Sequence, residues 1–218
     1  MTPFSALVFD LDGTLIHSAP DIHAAANVAL QKMGRQTLDL PTIISFIGNG
    51  IGVLTEHCLN ATGGSDPETY ETTLAHLLEA YQRDMTTLTH PYEGVIAALE
   101  AFQARGIPMG ICTNKPDQPA QDLCAALDLT GYFEVIAGAQ DGQPRKPDAA
   151  PLLACIERMG AAPETTLYVG DSKVDHDTAQ NAGVPFRLFG GGYLNHPLPD
   201  LAPSDRFERW VEHGITTG

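Results

Sequence analysis

The chain has 218 residues, 43% of them apolar and 18% charged, with four cysteines and a formal net charge of −15. That length accommodates one domain, or one domain carrying a smaller insertion, and the composition is globular, with no charge run long enough for a disordered tail. A field of this sign argues against nucleic acid and anionic membrane surfaces as partners, and it confines any anion site to a compact place where a lysine and a metal ion reverse the local potential.

The N-terminal stretch MTPFSALVFDLDG lacks the basic region and long apolar run of a signal peptide, and no segment reaches membrane-spanning length. Its apolar run, Ser5 to Phe9, predicts a buried strand that ends abruptly at Asp10. The stretch from about Ser18 to Met85 carries helical patterns, at Asp21 to Met33, Pro41 to Phe46, Gly50 to Asn60 and Pro67 to Met85, and no convincing strand. From there the pattern alternates. Strand-like runs at Ile107 to Cys112, Glu134 to Ala137, Thr166 to Val169 and Val184 to Leu188 are separated by helical patterns at Gly94 to Arg105, Asp117 to Leu127, Ala149 to Met159 and Asp175 to Ala182. Alternation of this kind predicts an α/β fold with a Rossmann-like parallel sheet covered on both faces. We therefore expect a discontinuous core of residues 1–17 and 86–218, with residues 18–85 inserted as a helical cap domain. Cys58, Cys112, Cys124 and Cys155 are widely spaced and follow no CxxC pattern, so buried free thiols in a reducing cytoplasm are expected.

Four segments carry polar groups at the ends of the predicted strands. Asp10 to Thr14 reads DLDGT, two carboxylates two residues apart followed by a glycine suited to a sharp turn. An isolated Asp-Gly is commonly just a turn, but four fixed positions occur by chance in on the order of one chain in several hundred. Thr113 and Asn114 offer a hydroxyl and an amide able to donate hydrogen bonds, although such residues also cap helices. Lys146, one of only four lysines, taken alone is a surface residue. Asp171 and Asp175, in LYVGDSKVD, taken alone are first-turn acids favoured by a helix dipole. Together the four segments meet where open α/β sheets form their ligand crevice, and supply a nucleophilic carboxylate, a second carboxylate, neutral donors, an ammonium and an acid suited to magnesium.

The order and spacing of DLDGT, TN, KP and GDSxxxD resemble the haloacid dehalogenase superfamily across essentially the whole chain. FIGNG in the helical insertion, TNKP and the late GGGYLN are similar to its phosphoglycolate phosphatase branch, and the insertion resembles a C1-type cap. The resemblance implies a magnesium-dependent phosphatase acting on a small anionic phosphoester, most simply 2-phosphoglycolate. Asp10 would be the nucleophile that becomes an aspartyl-phosphate, and Asp12 the general acid and base. Mg2+ would be held by the Asp10 carboxylate, the Asp12 carbonyl and Asp171. Thr113, Asn114 and Lys146 would bind the phosphoryl oxygens, and Asp175 would orient Lys146 or a metal-bound water. Gly13 would permit the turn that Thr14 supports. Gly48, Asn49 and Gly50 would bring flexible backbone near the leaving group. Phe46, His90, Glu93 and Ala149 depart from the branch pattern without touching a proposed catalytic residue.

A simple dehalogenase would not need Asp12, and a phosphonate hydrolase would need a cap lysine for a Schiff base, whereas Lys32 sits at a solvated helix end. A sugar phosphomutase, a pyrophosphate or nucleotide phosphatase, and a non-catalytic phosphate-binding protein remain open alternatives, as do a monomer and a homodimer. His17, His176, Asp177 and His196 read as loop and helix-face residues, without two-histidine metal spacing.

Overall fold

A computed structural model describes residues 4–217, which divide into two compact units. One takes in the chain up to His17 and from Pro91 onward; the other is Ser18–His90. The first is built on a six-stranded sheet in the order β5-β4-β1-β6-β7-β8, with every pairing parallel. Its strands are β1 (Ala6–Phe9), β4 (Met109–Pro116), β5 (Val135–Ala139), β6 (Thr166–Gly170), β7 (Phe186–Phe189) and β8 (Arg206–Phe207). All four residues of β1 are fully buried, as a strand covered on both faces requires. Ala6 and Val8 join Cys112 and Tyr168 against α7 (Ala150–Arg158) and α8 (Lys173–Ala182). On the other face Phe9 meets Trp210 and Phe133. Helix α6 (Asp117–Ala126) packs on β4 and β5, and α5 (Val95–Ala104) lies against the turn at Trp210.

Three short strands go beyond the sequence reading. β8 pairs with β7 through only two residues, too short for periodicity to register. Ile16–His17 (β2) and His90–Pro91 (β3) form a separate two-stranded sheet. β4 also continues through Pro116 instead of stopping at Cys112, with its register to β5 shifting between the two positions.

The second unit consists of α1 (Ala19–Lys32), α2 (Leu40–Ile44), α3 (Ile51–Ala61) and α4 (Pro67–Asp84). Ile22, Ala25, Ala26, Ala29 and Leu30 form one stripe of α1 and bury it against Leu54, Cys58, Leu77 and Tyr81. Asp39 and Asp66 start α2 and α4 by accepting the amides of Thr42 and Thr69. Within this unit the buried Asp21 carboxylate accepts from Leu88 N, Thr89 N and Thr89 Oγ1, the last two at 2.7 Å, and so ties α1 to the chain just before β3. Among the described residues no helix is long and apolar enough to cross a membrane.

Candidate active site

Because β1 is flanked by β4 and β6, the chain leaves the sheet centre in both directions, and the carboxyl ends of these three strands open into one crevice. Asp10 follows β1 immediately, with its N–H donating to Val169 O at 2.9 Å, so the β1–β6 ladder fixes its backbone. The next residues fold tightly, with Leu15 N and Ile16 N donating to Leu11 O and Gly13 N to Ile16 O. Gly13 has φ +86°, and a Cβ there would stand 2.3 Å from Asp171 Oδ2, so both the turn and the close approach to Asp171 demand glycine. Thr14 Oγ1 donates to Asp171 Oδ1 at 2.8 Å, while its carbonyl accepts from Trp210 Nε1 at 2.9 Å. Asp171, at the end of β6, is held on its other oxygen by Tyr193 N at 2.6 Å. The Gly190–Gly192 run brings that amide in, and a Cβ on Gly192 would lie 2.1 Å from Gly13 O.

Lys146 enters from the loop after β5 and is buried, with Nζ 2.7 Å from Asp175 Oδ1 and 2.9 Å from Asp10 Oδ1. Asp175 is the N3 residue of a capping box with Ser172, whose N and Oγ donate to Asp175 Oδ2 at 3.1 and 2.6 Å. Tyr168, facing inward from β6, accepts from Lys146 Nζ at 2.9 Å and shares its hydroxyl hydrogen between Asp175 Oδ1 and Cys112 O. Asp175 is therefore saturated by protein donors. Asp10 is not: its Oδ1 meets Lys146 at ion-pair distance without the angles of a hydrogen bond, and this oxygen has no hydrogen-bonding partner among the described residues.

Asp10, Asp171 and Asp175 offer carboxylate oxygens that all lie within 4.8 Å of one another, and all three residues are buried. Burial pushes the Asp10 carboxyl up to about 6; the Lys146 ammonium opposes the shift, and the charges of Asp175 and Asp12 add to it. Asp171 is also raised well above the usual carboxylate range by burial and the neighbouring acids, against the Tyr193 and Thr14 donors. Burial acts on Asp175 in the same direction, but Lys146 and the hydrogen bonds from Ser172 and Tyr168 win and hold it below its ordinary value. For Lys146 the order is reversed: burial would lower it, and the two carboxylates raise it instead. Three buried carboxylates gathered within 4.8 Å, with an Asp10 oxygen left unbonded beside Asp171, give a hard-oxygen donor set that fits a divalent cation such as magnesium, while Asp175, already saturated, faces Lys146.

The structure brings together Asp10, Asp12, Gly13, Thr14, Thr113, Asn114, Lys146, Asp171 and Asp175 in the first unit. It gives Asn114 a bracing part: its Nδ2 donates to Lys146 O at 2.9 Å and its Oδ1 accepts from Lys146 N at 3.0 Å, clamping the lysine's backbone. Thr113 Oγ1 accepts from Lys115 N at 3.2 Å. Gly48, Asn49 and Gly50 belong to the helical unit and form the turn into α3, with φ +120° and +87° at the two glycines. The sequence reading passed over Lys115, Tyr168, Ser172 and Tyr193. Tyr168 carried a usable signal, because a hydroxyl in the middle of a fully buried strand needs a partner.

A parallel sheet with nucleophile-type, acid-type and cation-type groups gathered at its central strand ends defines a class of α/β hydrolase, and the comparisons give the class its family. The sequence profile described as "Haloacid dehalogenase-like hydrolase" matches residues 7–189, and the chain belongs to that family. Curated relatives include proteins named phosphoglycolate phosphatase. The one from Cereibacter sphaeroides is 42% identical over 196 residues, covering 89% of each chain, and that from Rhodobacter capsulatus is 42% identical over 204 residues, covering 93% of this chain and 91% of its own. Among solved structures, a "predicted phosphoglycolate phosphatase" from Haemophilus somnus superposes with a TM-score of 0.91 at 27% identity, over 97% of both chains. The protein is thus an enzyme, a phosphoric monoester hydrolase of the phosphoglycolate phosphatase-like kind.

Proposed function

We propose that the enzyme is a magnesium-dependent phosphatase that converts 2-phosphoglycolate to glycolate and phosphate through an aspartyl-phosphate on Asp10. The observation that carries this reading is Asp10 itself: a buried carboxylate at the end of the central strand, with an oxygen left without a hydrogen bond beside one ammonium and two further acids. The names of the curated relatives support the choice of substrate.

An Asp10 oxygen attacks phosphorus, the bond from phosphorus to the ester oxygen breaks, and Asp12 gives its proton to the departing alkoxide. Asp12 then takes a proton from a water that attacks the same phosphorus, and the bond to Asp10 breaks, releasing phosphate and restoring both acids. Lys146 neutralises charge on the phosphoryl oxygens, with Asn114 holding its backbone and Asp175 and Tyr168 its ammonium. Asp10, the Asp12 carbonyl and Asp171 would hold magnesium, which supplies charge compensation between two anions that otherwise repel. The Ser18–His90 unit would act as the cap that selects the leaving group, and Gly48, Asn49 and Gly50 form its turn into α3. Four free, buried thiols support a reducing cytoplasm as its location.

The test is phosphate release by purified protein with magnesium, across 2-phosphoglycolate, sugar phosphates, a nucleotide and pyrophosphate, with Asp10→Asn alongside. Preference for phosphoglycolate, lost in the variant and in excess chelator, is expected. Preference for another ester would move the substrate and keep the chemistry, and turnover by Asp10→Asn would overturn the mechanism.

A further inference from the structure

The two buried lysines of the site face different acids. Lys146 reaches Asp10 and Asp175, whereas Lys115 Nζ lies 3.1 Å from both Oδ1 and Oδ2 of Asp12. A cation equidistant from both oxygens sits on the bisector of the carboxylate and so fixes its direction as well as its distance. Both side chains are largely enclosed, 5% exposed for Lys115 and 12% for Asp12.

The backbone of Lys115 is itself firmly placed. Its N–H donates to Thr113 Oγ1, and Asp117, two residues on, accepts from Gly138 N at 3.0 Å across the β4–β5 edge. Gly138 is obligatory for that approach: a Cβ would stand 2.4 Å from Asp117 Cα and 2.9 Å from Lys115 O. Asp12 stands in the tight turn next to Gly13, bridged through its backbone to Ile16, so the pair is anchored at both ends. Enclosing a lysine costs it rotamer freedom, and a buried pair returns little net stability.

We propose that Lys115 is a positioning residue for the reaction, holding the Asp12 carboxyl in the orientation from which it serves the leaving oxygen and the attacking water. This rests on the reading of Asp12 as general acid and base. The ammonium acts through Asp12 and not on the substrate, so its loss falls on turnover and leaves binding intact.

The experiment compares Lys115→Met, Lys115→Arg, Asp12→Asn and the double variant Asp12→Asn/Lys115→Met, using an aliphatic phosphomonoester and p-nitrophenyl phosphate. An alkoxide needs a proton to leave and nitrophenolate does not. Lys115→Met is expected to lower kcat for the aliphatic ester by roughly 10- to 100-fold with KM within about two-fold. With p-nitrophenyl phosphate it should give a burst of nitrophenol followed by slow turnover, the profile expected of Asp12→Asn. The double variant should be no slower than Asp12→Asn alone, because the two residues act as one unit. A raised KM with kcat unchanged would make Lys115 a substrate contact and overturn the proposal, as would unchanged kinetics or losses that multiply in the double variant. Should Lys115→Met fail to fold, Lys115→Arg decides by the same split between kcat and KM, since it keeps the charge and alters the distance. Normal turnover by Asp12→Asn would defeat the reading of Asp12 itself, a result separate from the behaviour of Lys115.

Discussion

Asn114 spends its amide on the backbone of Lys146, so truncating it should leave the lysine present but loosely aimed. Asn114→Ala is expected to lower kcat by roughly 10- to 100-fold, in the range seen when a group supporting a catalytic ligand is removed. Steady-state kinetics with a thermal-unfolding control checks it; a rise in KM alone would instead return Asn114 to the phosphoryl-donor part its sequence suggested. The difference between the two parts shows where residue-level reading stops. Asp10, Asp12, Lys146 and Asp171 were legible because their types and spacing carry chemistry. The partner of Asn114 was not, since Lys146 lies on a different loop and only the β4–β5 pairing brings the two together. Lys115 was hidden for another reason: it sits beside two residues that already explained the motif.

At the scale of elements, Asp21 is the most exposed to test. It lies in the first turn of α1 and receives the amides of Leu88 and Thr89 together with the Thr89 hydroxyl. Asp21→Ala would leave the buried amide and hydroxyl of Thr89 without an acceptor, and should cost about 2–4 kcal/mol in denaturant unfolding. Asp21→Asn, which keeps an acceptor oxygen, should cost less. The helices themselves were readable from a 3.6-residue apolar period, as the Ile22–Leu30 stripe illustrates. Their ends were less so. α8 starts at Lys173, two residues before the sequence reading placed it, because Ser172 and Asp175 cap one another and the apolar period begins only afterwards.

For the whole molecule, acid should act through His213 as well as through the carboxylates. Burial, aided by the Arg187 guanidinium, holds this imidazole below its ordinary value, and its Nδ1 accepts from Ile215 N. The unfolded chain therefore binds a proton more readily than the folded one. The stabilising contribution is present above the unfolded pKa of about 6.5 and is lost as pH falls through the lower folded value. Thermal midpoints of the protein and of His213→Gln, measured from about pH 7.5 to about pH 5, should converge as the solution is acidified. Thiol chemistry gives a second global readout. Burial raises all four cysteines, Cys58, Cys124 and Cys155 to about 12, so a thiolate-directed alkylating agent should leave the native protein unmodified and label every cysteine after unfolding. The parallel sheet was legible as a pattern of alternation, but its strand order was not, because order is set by long-range pairing that leaves no local trace. That order has a consequence for biosynthesis. β1 is translated before both of its partners, for Leu7 pairs with Met109 on one side and Leu167 on the other. The helical unit is translated in full before either partner strand exists. The most buried strand of the sheet therefore waits longest for its neighbours, and the nascent chain must shelter ALVF until Leu167 and its strand have been made.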